Sequence, residues 1–136
     1  MKTHVFDEDI IVYCKKATSF PEGVKQAFQY MHGLVEFDPA RMQIGWSEIV
    51  SEDEMNYWAG SQEIVDGEFG KHGLETKTIQ AGKYFYIPVT GYMQNIPAIG
   101  QAFGELSQNA NVADKNTGLE WYVSMEEVWC MMKAAD

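Results

Sequence analysis

Gln26-Ala27-Phe28 recurs as Gln101-Ala102-Phe103, and each copy lies on a segment whose apolar residues follow helical spacing. The first segment is preceded by Phe20-Pro21-Glu22-Gly23 and the second by Asn95-Ile96-Pro97. Each is followed by two short runs typical of β-strands, at 42–46 and 56–59 in the first half and at 119–123 and 128–132 in the second. The chain is therefore interpreted as an internal duplication, with pseudo-repeats at about 8–65 and 73–134.

The duplication predicts the fold class. One helix and its strands cannot bury both of their apolar faces alone, so the two copies are expected to pack into one domain spanning residues 1–136. We predict an α+β fold of two pseudo-symmetric β-α-β-β halves, with an antiparallel sheet and both helices on one face. A groove on the pseudo-twofold axis, lined from both halves, is the natural place for a ligand.

The helix and strand limits follow from glycine and proline. Pro21 is expected to open the first helix and Asp38-Pro39 to end it before residue 38. Asn95 is the expected N-cap of the second helix, with Pro97 in its first turn. A tight turn at Ala81-Gly82 is expected to join two strands, and Pro88 is expected to end a strand or lie at an edge.

Composition and charge narrow the function classes. The formal net charge is −10 and Lys15-Lys16 is the only adjacent basic pair, which argues against direct binding of nucleic acid or an anionic membrane. No apolar run approaches the roughly 20 residues of a membrane span, and the N-terminus lacks the apolar core of a signal peptide. A cytoplasmic protein is therefore expected. The two cysteines, Cys14 and Cys130, are interpreted as buried reduced thiols.

Five short segments, in order and across nearly the whole chain, resemble one known family. They are Ser19-Phe20-Pro21-Glu22-Gly23, Arg41-Met42-Gln43-Ile44-Gly45-Trp46, Tyr57-Trp58-Ala59-Gly60, Ile79-Gln80-Ala81-Gly82-Lys83-Tyr84 and Gly118-Leu119-Glu120-Trp121-Tyr122. The family is the GyrI-like small-molecule-binding domain, which also forms the effector-binding half of some AraC-type and MerR-type regulators. Ser124 stands where the family commonly has a proline after its Glu-x-Tyr strand.

The resemblance implies more about the fold and ligand type than about activity. Regulators of this kind bind diverse drugs, many of them cationic and aromatic. Because no helix-turn-helix precedes the domain here, the resemblance implies a free-standing form. Free-standing relatives include topoisomerase inhibitors and hydrolases of cyclopropane-bearing genotoxins.

Glu120 is the strongest candidate for a functional side chain. It interrupts an otherwise apolar strand, and the two-residue period of a strand puts Glu120 and Tyr122 on one face. A carboxylate buried there could neutralise a bound cation or act as a general acid or base. In the resemblance, this glutamate is the buried ligand-binding acid, and in the hydrolases it is catalytic. A solvent-exposed glutamate on a half-solvated sheet is the alternative.

Aromatic residues supply the other candidates, since the chain has four tryptophans and seven tyrosines. Flat rings stack on aromatic ligands, and their faces attract cations. Trp46 and Trp58 are predicted to line the groove or to fill the core, and Tyr92 is predicted to lie over the groove mouth. Phe20 is the first-half counterpart of Tyr92. The three histidines form no pattern of metal ligands, so neither metal nor cofactor is expected.

Three function classes stay open at this point. The first is a sensor or sequestering protein that binds an amphipathic, aromatic small molecule, in which Glu120, Tyr122, Trp46, Trp58, Phe20 and Tyr92 contact the ligand. The second is a small-molecule hydrolase that uses Glu120 as general acid or base, with Tyr122 or a groove tryptophan orienting the substrate. The third is a module that masks another protein, whose identity the sequence leaves open.

Overall fold

Residues 1–135 fold into two α-helices, a short 3₁₀ helix (Tyr92–Gln94) and an eight-stranded antiparallel sheet. The computed structural model describes residues 1–135. Its elements are β1 (Lys2–Phe6), β2 (Ile10–Lys16), α1 (Val24–His32), β3 (Gln43–Ser51), β4 (Glu54–Gln62), β5 (Glu75–Ile79), β6 (Gly82–Thr90), α2 (Pro97–Ser107), β7 (Thr117–Tyr122) and β8 (Glu127–Lys133). Neither helix of the described residues has the length and apolar character needed to cross a bilayer. The α+β prediction is confirmed.

The strand order shows how the two halves combine. Across the sheet it runs β1-β6-β8-β7-β3-β4-β2-β5. Exchanging each strand with its counterpart in the other half reverses this order, so the pseudo-twofold axis passes between β3 and β7. The first strand of each half pairs with the other half, since β1 lies beside β6 and β5 beside β2.

The two faces of the sheet have separate cores. On one face, α1 packs its buried Ala27 and Met31 over β4 and β2, and α2 packs Ala102 and Leu106 over β6 and β8. We call this the helix face. The opposite face has a single apolar cluster with members from all eight strands, which the curl of the sheet brings together: Phe6, Val12, Cys14, Ile44, Trp58, Ile79, Tyr84, Leu119 and Met131. We call this the concave face.

The two helices lie on either side of the middle of the helix face. Because α1 lies on β4 and β2 while α2 lies on β6 and β8, the central strands β3 and β7 lie between them. We call this region the interhelical gap. Its floor is formed by the two strands that meet at the pseudo-twofold axis.

Several local predictions need correction. Strand β1 was not predicted, because Lys2–Phe6 contains only two apolar residues and is stabilised by pairing with β6. The turn before Gly82 is present, but β5 and β6 pair with other strands rather than with each other. Of the two alternatives predicted for Pro88, the edge position is confirmed: β6 continues through it, but pairing with β1 stops at Tyr86, so one edge of the strand is free. Helix α1 is shorter than predicted, since Pro21 lies in a turn before it.

An ion pair fixes the loop between β4 and β5. The buried guanidinium of Arg41 donates to both carboxylate oxygens of Glu68, at 2.7 and 3.1 Å, and to the carbonyl oxygen of Gln62 at 2.9 Å. Glu68 also accepts the backbone N–H groups of Ile64 and Val65. The hydrogen bonds from Arg41 lower the pKa of the Glu68 carboxyl to about 2.

Glu68→Gln is expected to lower the free energy of unfolding by about 1–3 kcal/mol, because it removes the charged acceptor of four N–H groups. The folded-state pKa lies below the ordinary value of 4.5, so this stabilisation is present above about pH 4.5 and is lost as the pH falls toward 2. Urea unfolding followed by tryptophan fluorescence at several pH values measures the difference. The exposed turn residue Glu52, changed to Gln, is the matched control; an equal loss there would contradict the assignment.

Candidate functional site

Glu120 lies on the floor of the interhelical gap. Its neighbours Leu119 and Trp121 belong to the concave face, so the two-residue period of β7 turns Glu120 toward the helix face. Across the pseudo-twofold axis it pairs with Gly45 of β3. Only 8% of the residue is exposed, so the alternative of a solvent-exposed glutamate on a half-solvated sheet does not apply.

Two tyrosines bind the same oxygen of this carboxylate. The hydroxyl of Tyr57, from β4, donates to Glu120 Oε1 at 2.8 Å, and that of Tyr122 donates to the same atom at 2.5 Å. One tyrosine comes from each half of the chain. The carboxyl group therefore links the two halves at their shared axis.

Gly45 is required for this arrangement. Tyr57 reaches Glu120 by crossing strand β3 directly over Gly45. A Cβ atom at position 45 would lie 1.9 Å from the Tyr57 hydroxyl oxygen and 2.7 Å from Glu120 Oε1. No side chain other than hydrogen fits there without moving the hydrogen-bonded pair.

Aromatic rings surround the two tyrosines. Phe20 lies against Tyr57 with ring centroids 5.6 Å apart, and Tyr92 makes an edge contact with Tyr122 at 5.3 Å. Phe28 of α1 contacts both tyrosines, at 6.1 and 5.4 Å. Phe20 and Tyr92 lie just before α1 and α2 respectively, so each half contributes one ring from the same position. We call Glu120, Tyr57, Tyr122, Phe20, Phe28 and Tyr92 the Glu120 cluster.

Burial controls the ionisation of this cluster. Loss of hydration raises the pKa of Glu120, while the hydrogen bonds from Tyr122 and Tyr57 oppose that rise. Burial and the neighbouring carboxyl group also raise the pKa values of Tyr57 and Tyr122, which keeps both phenols protonated as donors. Burial thus favours the neutral form of Glu120, whereas the two hydrogen bonds and any nearby cation favour its charged form.

Four of the six predicted ligand contacts come together. Glu120, Tyr122, Phe20 and Tyr92 are all members of the cluster. Their role in binding stays a prediction, but their proximity is a feature of the structure.

Trp46 and Trp58 lie on the other side of the sheet. They are cross-strand partners on the concave face, whereas Glu120 is on the helix face. The ammonium group of Lys77 lies 3.8 Å from the Trp58 ring centroid and 5.4 Å from that of Trp46, and it also contacts Glu48 at 3.1 Å. The structure therefore does not bring the two tryptophans to Glu120, and their surroundings are those of a packed core.

Three members of the arrangement were missed from the sequence. Tyr57 directly precedes Trp58, so the period of β4 places it on the opposite face, and it was not considered beside Trp58 as a candidate. Phe28 lies on the apolar helical segment noted in the sequence, but it is only half-buried because it borders the gap, as is Phe103 of α2. Gly45, within the strand, was a usable signal for close packing.

The described residues 1–135 contain no group of three or more His, Cys, Asp or Glu side chains that could hold a metal ion. Cys14 and Cys130 are buried and free, and burial raises the pKa of Cys14 to about 12. Cys130 is the cross-strand neighbour of Glu120 on β8, and burial also raises its pKa. Both thiols are packed as small apolar groups.

Comparisons with known proteins agree in fold. An integron cassette protein from the mobile metagenome of Vibrio cholerae superposes with a TM-score of 0.66 and 13% identity, over 98% of this chain and 94% of that one. The C-terminal domain of EcmrR gives 0.63 and 10% identity, over 98% and 96%. SAV2435 bound to tetraphenylphosphonium gives 0.57 and 12%, over 98% and 94%. The chain has a GyrI-like fold.

The GyrI-like fold was the expectation from the sequence resemblance, and it is confirmed. In sequence alone, no protein-family model and no curated protein matches the chain. At 10–13% identity the superpositions establish a shared fold and nothing about the chemistry of the Glu120 cluster.

Gly45→Ala is expected to destabilise the protein by about 1–3 kcal/mol, because the new methyl group must displace the Tyr57 hydroxyl from Glu120. Gly104→Ala is the matched control, since a Cβ there meets nothing within 4 Å and α2 gains about 0.5–1 kcal/mol from the loss of a helical glycine. Thermal unfolding compares both with the wild type. Equal stability of Gly45→Ala and Gly104→Ala would contradict the predicted clash between a Cβ atom at position 45 and the Tyr57 hydroxyl.

Glu120→Gln is expected to raise the thermal midpoint of the ligand-free protein at neutral pH. The folded-state pKa of Glu120 is raised, so its stabilising contribution is present at acid pH and lost as the pH rises through that pKa. Glutamine cannot ionise, and the advantage of the variant should therefore increase between pH 4 and pH 8. An advantage that does not change with pH would show that ionisation of Glu120 carries no penalty.

Proposed function

We propose that the protein binds an amphipathic, aromatic, cationic small molecule in the interhelical gap, as a free-standing sensor or sequestering protein. The observation that carries the proposal is the Glu120 cluster, a buried carboxyl group at the base of a gap bordered by rings from both halves. Rings at the edges bind the apolar body of such a ligand, and the carboxylate at the base binds its charge.

The charge balance of the cluster favours a cation. Within residues 1–135, the ion pairs are Arg41–Glu68 and Lys77–Glu48, and neither involves Glu120. The partners of Glu120 are neutral phenols, so its negative charge has no fixed counterion. A bound cation would supply that counterion, and the net charge of −10 would attract it from solution. The same net charge disfavours direct binding of nucleic acid.

The structural neighbours are consistent with this proposal. SAV2435 has the same fold and was determined with tetraphenylphosphonium, a cation bearing four aromatic rings. EcmrR has this fold in its C-terminal domain. We extend binding of an aromatic cation to this chain because Glu120, Tyr57 and Tyr122 provide a suitable site.

A small-molecule hydrolase is the second candidate, favoured by one observation. The raised pKa of Glu120 is a property of carboxyl groups that act as general acids near neutral pH. Tyr122, hydrogen-bonded to the same carboxyl, would orient the substrate. Turnover of a strained-ring substrate by the wild type, abolished by Glu120→Gln while the neutral substrate still binds, would favour this candidate over binding alone.

Glu120→Gln is expected to weaken binding of tetraphenylphosphonium by at least about thirtyfold, since removal of one partner of a desolvated charge pair costs about 2–5 kcal/mol. Neutral triphenylmethane, which has no hydrogen-bond acceptor, should bind nearly unchanged, because ring contacts are retained. Isothermal titration calorimetry measures both affinities.

Glu48→Gln provides the control for this experiment. Glu48 is also a partly buried carboxylate in the sheet, but it bonds to Trp46 and Lys77 on the concave face. Its substitution should leave both ligands unaffected. Equal loss in the two variants, or no loss in Glu120→Gln, would contradict the proposed site.

A further inference from the structure

The hydrogen bonds of Glu120 are distributed unevenly between its two oxygens. Tyr57 and Tyr122 both donate to Oε1. In the described part of the chain, Oε2 accepts no hydrogen bond, and it is not among the fully enclosed polar atoms that lack a partner. Oε2 is therefore the oxygen that keeps contact with the interhelical gap.

A carboxylate oxygen in such a place has a specific chemical requirement. It accepts strong hydrogen bonds, and an acceptor that loses water without gaining a donor carries a large desolvation cost. The two nearest phenols are committed to Oε1, and burial keeps their protons on them. When a ligand displaces water from the gap, the donor for Oε2 must therefore come from the ligand.

We propose that the preferred ligands are cations that carry an N–H donor, such as protonated amines or protonated nitrogen heterocycles, rather than permanently quaternary cations. This rests on the proposed function and adds the donor requirement to it. A quaternary cation neutralises the charge of Glu120 but leaves Oε2 without a hydrogen bond. An N–H cation of the same size satisfies both.

Two acridine dyes test the requirement directly. Acridine orange is protonated on its ring nitrogen at neutral pH, and 10-methyl acridine orange carries a methyl group on that nitrogen. Both are planar monocations, so charge attraction and ring stacking are matched. If Glu120 releases a proton on binding, it does so for both dyes, and the free-energy cost of that release is the same. We expect acridine orange to bind the wild-type protein about ten- to hundredfold more tightly by fluorescence titration, the value of a charge-assisted hydrogen bond.

Glu120→Gln separates the hydrogen bond from steric exclusion of the methyl group. With Tyr57 and Tyr122 donating to its amide oxygen, glutamine turns an NH₂ group, a donor, toward the gap. Both dyes should weaken, and the ratio of their affinities should fall to about one or below. A ratio that survives in the variant would show that shape alone excludes the methyl group, and the proposal would be wrong.

The outcomes distinguish this proposal from the proposed function. Equal affinities in the wild type, both lost in Glu120→Gln, would overturn the donor requirement and leave cation binding intact. Affinities unchanged by Glu120→Gln would overturn both. A second pair, chlorpromazine and its N-methylated quaternary derivative, repeats the comparison on the wild type with a tertiary ammonium and a different ring system. The same preference is expected, and its absence would contradict the proposal even if the variant failed to fold.

Discussion

The structure depends on how a carboxyl group is accommodated in the middle of a sheet. Taking an ionised carboxylate out of water costs several kcal/mol, and each hydrogen bond to it returns about 1.5–3 kcal/mol. Tyr57 and Tyr122 supply two such bonds, yet the pKa of Glu120 stays raised, so the hydrogen bonds only partly offset burial. The part of the desolvation cost that the hydrogen bonds do not offset favours binding of either a proton or a cation by the carboxylate.

The pseudo-twofold axis explains why there is only one such carboxyl at this place. In the β3–β7 register, Gly45 faces Glu120 and Ser47 faces Gly118, so the axis relates glycine to glycine and Ser47 to Glu120. At Gly118 the space of a missing side chain is bordered by Ser47 and Phe103 rather than by a hydrogen-bonded acid. A glutamate at both equivalent positions would set two carboxyl groups close together on neighbouring strands, and like charges there would oppose each other. The duplication supplies a symmetric gap, and the Ser47/Glu120 difference makes the site asymmetric.

The sequence predicted the architecture better than the site. Glu120 and Tyr122 could be placed on one face because a polar residue in an apolar strand marks its own orientation. The sequence could not assign a face to Trp46, Trp58 or Tyr57. Both faces of this sheet are apolar, and alternation within one strand does not say which of its faces matches a given face of another strand. The pairing of β3 with β4 and β7 decides on which face each of these residues lies, and the register of that pairing is set by contacts between residues far apart in the chain. The sequence also did not predict that β1 and β5 each pair with a strand of the other half, because this pairing too is set by contacts between residues far apart in the chain.

The aromatic rings on the two faces of the sheet have different surroundings. All four tryptophans lie on the concave face, and three of them donate their indole N–H to a nearby glutamate: Trp46 to Glu48, Trp58 to Glu75 and Trp129 to Glu127. These rings are fixed by packing and by hydrogen bonds within the protein. The rings of the Glu120 cluster are phenylalanines and tyrosines at the starts of helices and beside the gap, with Phe20 the most exposed of those near the tyrosines, at 43%. Successive residues of a β-strand alternate between the two faces, so the strands that hold the tryptophans on the concave face also position Glu120 and its two tyrosines on the helix face.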